Sequence, residues 1–390
     1  MSRQPVGAPA APTGLWLAAL VLVALNLRPV ITSVPPLVDQ LEAEFGLTGA
    51  EVGALTTLPV VCMGLFAPLA AVLARRFDES AVLAAAVAVI GIGAALRGLA
   101  GAAGLYGGAI VAGVGIAITG TLLPSLVRTK HPDRIGPVTG TYTAALIGGA
   151  LLAAGLTVPM RDVLGLPSQV ALALWAIPAG VALVVWLLVP RVPRTAAPAR
   201  VAFPWRSKAA WLGTLFMGGQ SLLFYGTLAW LAAAYTSRGH SASYAGVLLA
   251  VFSATQVITA FAMPSLAHRG GDVRPWIAMS VGVTTLGLAL VAFVPDHFAA
   301  APWTWASLLG LGMGGNLALA LLVLTQNAPT PEAAPAYTGM AFFIGYLMAA
   351  AGPVSAGAVR DATGSYTTVF AALAVLGTLT LAAGVAAARR

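Results

Sequence analysis

The sequence predicts an all-α membrane protein: twelve transmembrane helices in two pseudo-symmetric six-helix bundles, with the N and C termini cytoplasmic. Three observations carry that prediction. Hydrophobic residues fill 59% of the 390 positions and charged residues 8%, with a mean hydropathy of +0.91, whereas soluble domains carry roughly 25% charged residues. The apolar segments are continuous runs of about 20 residues and not alternating strands, so the spans are helices. The basic residues sit in short groups between those runs, which makes the net charge of +8 a topology signal and not a nucleic-acid footprint.

The elements follow in order. Residues 1–13 are polar and proline-rich and read as a cytoplasmic tail; the apolar run after them is too long for a cleaved signal peptide. The first span, 14–38, runs from Gly14 to the Pro35-Pro36 pair, and the second, 51–73, lies between Glu51 and Arg75-Arg76. The third, 80–98, follows Asp78-Glu79, and the fourth, 104–126, stops short of Arg128 and Lys130. The fifth, 135–158, precedes Arg161-Asp162, and the sixth, 169–189, ends at Pro190-Arg191. The seventh, 209–235, starts after Lys208; the eighth, 242–266, stops before His268-Arg269. The ninth, 273–294, ends at Pro295-Asp296, and the tenth, 299–325, ends ahead of Asn327 and Pro329. The eleventh, 333–359, ends at Arg360-Asp361, and the twelfth, 366–387, runs up to Arg389-Arg390. Segment 190–208, with five basic residues and several prolines, reads as a cytoplasmic linker between bundles at 14–189 and 209–390, the latter including a short basic tail.

Lysines and arginines between spans fix the expected orientation. An N-terminus in the cytoplasm places fifteen of the twenty on that side and only Arg161, Arg238 and Arg360 outside. Arg28 and Arg97 fall within spans. The first external loop is acidic, with Asp39, Glu42, Glu44 and Glu51. Trp16, Trp211, Trp276 and Trp303 lie near span ends, as interfacial anchors do. The single cysteine, Cys62, falls within the second span, which excludes an intrachain disulfide and suits packing.

The two bundles read as diverged copies. Gly140 through Arg161-Asp-Val-Leu-Gly165 matches Gly339 through Arg360-Asp-Ala-Thr-Gly364 at an offset of 199, Gly113-Val-Gly115 matches Gly310-Leu-Gly312 at 197, and Asn26 falls opposite Gln220 at 194. Matches in the same order at nearly equal offsets indicate a duplicated six-helix unit.

The candidate site starts at Asn26-Leu-Arg-Pro-Val-Ile-Thr-Ser-Val-Pro-Pro36. Arg28 lies about 13 residues into the first span, about 20 Å along a helix and near the membrane midplane. Insertion of such a cation costs about 2.5–3.5 kcal/mol, so a binding role is expected unless the guanidinium serves backbone carbonyls freed by Pro29. Pro29 also turns Arg28 away from helical dihedrals and predicts a kink there. Thr32 is one turn further on the same face, whereas Asn26 points the other way, where packing serves as well as binding. Tyr142, Gln220, Tyr225, Gln256, Asn316 and Tyr346 sit at comparable depth as substrate-binding candidates, each with helix packing as its alternative. Phe342 and Tyr346, four apart, form an aromatic pair. Arg97, at the outer end of the third span, is expected to snorkel to the headgroups. The glycine-rich 107–120 stretch is a packing surface.

Several runs carry a specific resemblance: Asn26-Leu-Arg-Pro29, Leu55-Thr-Thr-Leu-Pro59, Gly64-Leu-Phe-Ala-Pro68, Leu73-Ala-Arg-Arg-Phe77, Leu123-Pro-Ser-Leu-Val127, Thr139-Gly-Thr-Tyr-Thr143, Thr157-Val-Pro159, Gln220-Ser-Leu-Leu-Phe-Tyr225 with Trp230, Gly345-Tyr346 and Arg360-Asp361. Together they resemble the cyanate and 2-nitroimidazole transporter family of the major facilitator superfamily, over nearly all of the chain. The resemblance implies secondary active or facilitative transport of a small anionic or polar solute by alternating access across a bacterial cytoplasmic membrane. The superfamily's loop between its second and third spans usually carries an acid; here Arg75, Arg76 and Asp78 occupy that loop, with Arg75 at the acid's place, and the second copy ends on Arg269. The glycine-proline motif of drug and proton antiporters is missing between Ala144 and Thr157, which ranks multidrug/proton antiport of hydrophobic compounds second.

The reading is therefore a non-enzymatic carrier. No paired acids or nucleophile with a base mark an active site, and no motif requires a cofactor or metal. Its partners are a small solute and the lipid bilayer, with a coupling proton or ion left open because all four histidines lie in loops, and the chain is expected to act as a monomer.

Overall fold

The computed structural model describes residues 13–130, 134–190, 203–269, 272–330 and 333–388, and its regular segments are helical. Residues 1–12 of the expected tail and most of the linker at 190–208 lie outside the described residues, while Thr13 already opens the first helix. Twelve described helical stretches are long and apolar enough to cross a membrane.

The first of them is broken. Helix α1 (Thr13–Leu25) ends before Arg28, α2 is the short turn Pro29–Thr32, a 3₁₀ turn covers Pro35–Leu37, and α3 (Val38–Phe45) completes the crossing. Pro29, Pro35 and Pro36 each lack an N–H, so the α-helical ladder cannot run through. The chain tightens before the break, with the amides of Asn26 and Leu27 donating to carbonyls three residues back at 3.1 and 3.2 Å. The sequence places the end of this span at 38; the helix continues to Phe45, so Asp39, Glu42 and Glu44 belong to α3 and not to a loop.

Helix α4 (Gly49–Arg76) starts with a capping box, in which Thr48 Oγ1 accepts from the Glu51 amide and the Glu51 carboxylate accepts from the Thr48 amide. Then come α5 (Glu79–Leu96), α6 (Gly101–Lys130) and α7 (Ile135–Leu164). The sixth span is split into α8 (Ser168–Ala173) and α9 (Ala176–Leu187), because Pro178 cannot donate into the preceding turn. The C-terminal six are α10 (Lys208–Thr236), α11 (Ala242–Arg269), α12 (Arg274–Phe293), α13 (Ala301–Asn327), α14 (Ala334–Thr363) and α15 (Tyr366–Ala387).

The repeat seen in the sequence is present in the packing. Helices α7 and α14 begin and end at an offset of 199 and both close on a left-handed glycine, Gly165 at φ 61° and Gly364 at φ 65°. A Cβ at Gly113 of α6 would strike Pro59 of α4, and one at Gly310 of α13 would strike Phe252 and Thr255 of α11, the same pairing in the second copy. The bundles meet along two equivalent seams, α4 on α14 and α7 on α11. Trp16, expected at the interface with the headgroups, is instead buried in the N-terminal bundle, while Trp211 is exposed and donates to the Trp205 carbonyl.

Close backbone approach holds the broken span in place. A Cβ at Gly149 of α7 would lie 2.0 Å from the Leu25 carbonyl, a backbone atom that cannot yield, whereas one at Gly107 meets nothing within 4 Å. Gly149→Ala is therefore expected to cost about 1–3 kcal/mol and lower Tm by several degrees, with Gly107→Ala neutral or slightly stabilising. Thermal melts of the purified protein check this; equal Tm values for the two variants contradict the packing described.

Candidate functional site

At the break, Arg28 has φ −113° and ψ −29°, and its own carbonyl accepts from the amides of Ile31 and Thr32 and from Thr32 Oγ1. The turn is thus closed locally, and the guanidinium is free to leave it sideways. Arg28 Nη1 donates to Tyr225 Oη of α10 at 3.0 Å, so the contact joins the two bundles. The Arg28 Cζ lies 5.5 Å from the ring centroid of Phe224 and 5.7 Å from that of Tyr225. Tyr225 Oη donates on to Met63 Sδ of α4 at 3.8 Å. Tyr346 of α14 lies within electrostatic range of the guanidinium and stacks on Phe342, the ring centroids 5.6 Å apart at an interplanar angle of 17°. Gly64, next to Met63, faces Tyr346 Cβ and the Phe343 carbonyl. Four helical stretches therefore converge on one guanidinium near mid-depth.

Magnitudes explain how the charge stays there without an acid. A hydrogen bond to a charged group contributes about 1.5–3 kcal/mol and each ring about 0.5–2 kcal/mol, enough to offset an insertion cost of about 2.5–3.5 kcal/mol. Among the described residues no carboxylate pairs with Arg28. Arg28 and Tyr346 both retain exposed surface while Tyr225 is buried. The Arg28–Tyr225 contact itself lies between the bundles, since α10 belongs to the second of them.

The other sequence candidates lie elsewhere. Asn26 is buried, and its Nδ2 donates to the Leu22 carbonyl at 2.8 Å and the Pro178 carbonyl at 3.1 Å, tying the end of α1 to α9. Thr32 Oγ1 donates back to the Arg28 carbonyl, its one side-chain hydrogen bond among the described residues. Gln220 is buried and satisfied on its own helix by Ser221 Oγ at 2.6 Å and the Met217 carbonyl. Gln256 donates to the Phe252 carbonyl one turn back, and Asn316 is buried against Thr284 of α12. Tyr142 lies seven residues before Gly149, whose level on α7 matches the break, and so sits about 10 Å toward the Arg128 end. Arg75 and Arg76 end α4, where cations suit the helix dipole, and Asp78 caps α5 by accepting from the Ala81 amide at 3.0 Å. Arg269 is the last residue of α11, and its side chain lies outside the described residues.

Arg97 requires a correction. It does not snorkel: the residue is 0% exposed, and Nη1 donates to the Val30 carbonyl in the broken span at 2.9 Å. The side chain runs inward because that carbonyl offers an acceptor within the bundle.

Sequence reasoning missed Phe224, Met63 and a cross-bundle seal. Phe224 sits beside Tyr225 in the sequence but carries no polar signal, and nothing local marks Met63. The seal lies at the Glu42 end of the molecule. Arg360 of α14 donates to both carboxylate oxygens of Glu42 on α3, each at 2.9 Å, and Asp361 accepts from the amides of Gly49 and Ala50 at 2.9 and 2.8 Å, capping α4. Further in, Thr57 Oγ1 donates to the Ala350 carbonyl at 2.7 Å. Among the described residues, every hydrogen bond or ion pair that joins the bundles lies between this end and the Arg28 level.

Comparison with known proteins agrees with the twelve-helix fold. The Major Facilitator Superfamily profile matches residues 16–353. The chain is 33% identical to the 2-nitroimidazole transporter of Escherichia coli strain K12 over 378 residues, 96% of this chain and 95% of that one. It is 33% identical to the cyanate transport protein CynX of the same organism over 370 residues, 93% of this chain and 94% of that one. Among solved structures, a bacterial homolog of the human lysosomal transporter Spinster, in an inward-facing and occupied conformation, superposes with a TM-score of 0.80 at 16% identity, covering 96% of each chain.

The seal generates a direct expectation. With Cys62, the only cysteine, replaced by serine and Thr57 replaced by cysteine, Arg360→Gln should speed labelling by a bulky maleimide added at the Glu42 face by about fivefold to tenfold, the factor for roughly 1–1.4 kcal/mol of lost pairing. An unchanged rate contradicts a closing role for the Glu42–Arg360 pair.

Proposed function

The chain belongs to the major facilitator superfamily of transporters, and from that premise we propose that it moves a small anionic or electron-rich planar solute across the bacterial cytoplasmic membrane. The two bundles rock about a midplane site, which opens alternately to each side. The observation that carries the reading is Arg28: a guanidinium at mid-depth, held by Tyr225 across the bundle interface, with no acid partner among the described residues.

A planar fork of donors matches carboxylate, cyanate or nitro groups, and the Phe224, Tyr225 and Tyr346 rings suit a flat solute beside it. Met63 gives that wall a soft, adaptable side. In this proposal Arg28, Tyr225 and Tyr346 contact solute, whereas Asn26, Gln220 and Asn316 set helix packing. The strong basic asymmetry of the loops supports cytoplasmic termini, and with that orientation the Glu42–Arg360 pair faces the outside and the solute would reach Arg28 from the inside. The relatives named as nitroimidazole and cyanate transporters guide the choice of test solutes, and the working unit is taken as the monomer.

A thermal-shift screen of the purified protein against 2-nitroimidazole, sodium cyanate, benzoate and tetraphenylphosphonium tests the proposal. At least one planar anion or nitro compound should raise Tm, and Arg28→Ala should weaken that solute by about 10- to 100-fold, the loss of one charge-assisted contact. Stabilisation by the lipophilic cation alone, or by anions equally in Arg28→Ala, overturns it.

A further inference from the structure

We propose that Arg97 is a positioning residue for Arg28: by gripping the Val30 carbonyl it fixes the direction in which the broken first span aims its guanidinium. This rests on the reading of Arg28 given above. Val30 is the second residue of α2, the four-residue turn that starts immediately after Arg28. Pro29 severs the helical ladder there, so α2 is not locked in line with α1 by backbone hydrogen bonds alone. Side-chain ties from neighbouring helices take over. Asn26 anchors the end of α1 to α9 through the Pro178 carbonyl, and Arg97, from the end of α5, anchors α2 through Val30 at 2.9 Å.

The cost of this anchor points to function. Arg97 is fully buried, and its Nε and Nη2 have no protein partner among the described residues. No described carboxylate pairs with it. A buried cation with two unmatched donors opposes folding, and a fold that needed only one donor for one carbonyl could use a neutral amide. Space has also been kept for it. A Cβ at Gly108 of α6 would lie 2.6 Å from Arg97 Cγ and 2.4 Å from the Gly93 carbonyl, so an alanine there would displace the arginine stem. Costly, precisely seated groups of this kind belong to sites more often than to packing.

A double-mutant cycle in thermal stability tests the inference without any solute. Tyr225→Phe removes the oxygen that accepts from Arg28 and should lower Tm by roughly 2–5 °C in the native chain. In the Arg97→Met background, where Arg28 is no longer aimed, the same change should cost less than a third of that. Arg97→Lys should restore at least half of the coupling. Should Arg97→Met not accumulate, Gly108→Ala replaces it in the cycle, since it shifts the arginine while keeping its charge. Equal losses in both backgrounds overturn the inference, as does the absence of any loss in the native chain. The cycle contains no transported compound, so it can fail while the solute screen succeeds, and the reverse.

Discussion

The structure depends on one conflict in the first span. A proline after an arginine interrupts the helix where the bilayer tolerates interruption least, and the broken backbone and the charge must both be satisfied by protein. The solutions are specific. Thr32 and the turn amides load the Arg28 carbonyl, Asn26 takes the Leu22 and Pro178 carbonyls, Arg97 takes that of Val30, and Tyr225 receives the guanidinium. Local disorder is thereby converted into a fixed side-chain direction. The Phe224 and Tyr225 rings then reduce the cost of leaving the charge unpaired by an acid.

From that point the bundles can be followed outward along α4 and α14. Small residues set their spacing: a Cβ at Gly53 would meet the Pro353 carbonyl at 2.6 Å and one at Gly357 would meet the Gly49 carbonyl at 2.4 Å. Close approach allows Asp361 to reach the start of α4 and Arg360 to reach Glu42. The guanidinium and the seal thus share two helices, and separating α4 from α14 at the Glu42 end also disturbs Met63 and Tyr346 at the site. In the proposed transport cycle, linkage of this kind would let a solute at mid-depth influence which side is open, provided it binds the two arrangements unequally.

Depth along a helix was legible in the sequence; direction around it was not. Hydropathy and charge placed most span limits within a few residues, falling well short only at the far ends of the first (38 against Phe45) and fifth (158 against Leu164), and the offset of 199 anticipated that α7 and α14 would match in length and terminal glycine. Arg28, Tyr225 and Tyr346, polar groups at mid-depth that stand out in the sequence, lie near one another in the fold. The same signal also drew in Asn26, Gln220 and Asn316, whose amide nitrogens donate to protein neighbours, although Asn316 Oδ1 is buried without a partner among the described residues. Arg97 was misread for the same reason: its position near a span end suggested lipid headgroups, while the acceptor it uses arises from a proline break 67 residues away in sequence. Met63 and Phe224 carry no polar mark, and only the folded arrangement brings them to the guanidinium.

The central claim is that position 28 faces a water-accessible space between the bundles, reached from the end opposite the Glu42–Arg360 pair. It is tested most directly by an Arg28→Cys variant in a Cys62→Ser background, probed in oriented membranes with a small sulfonated thiol reagent applied to one face at a time. Labelling from the Arg75 and Arg128 face, at a rate several-fold above that from the Glu42 face, is the result this account predicts. No labelling from either face, or labelling only by a lipid-soluble reagent, contradicts it.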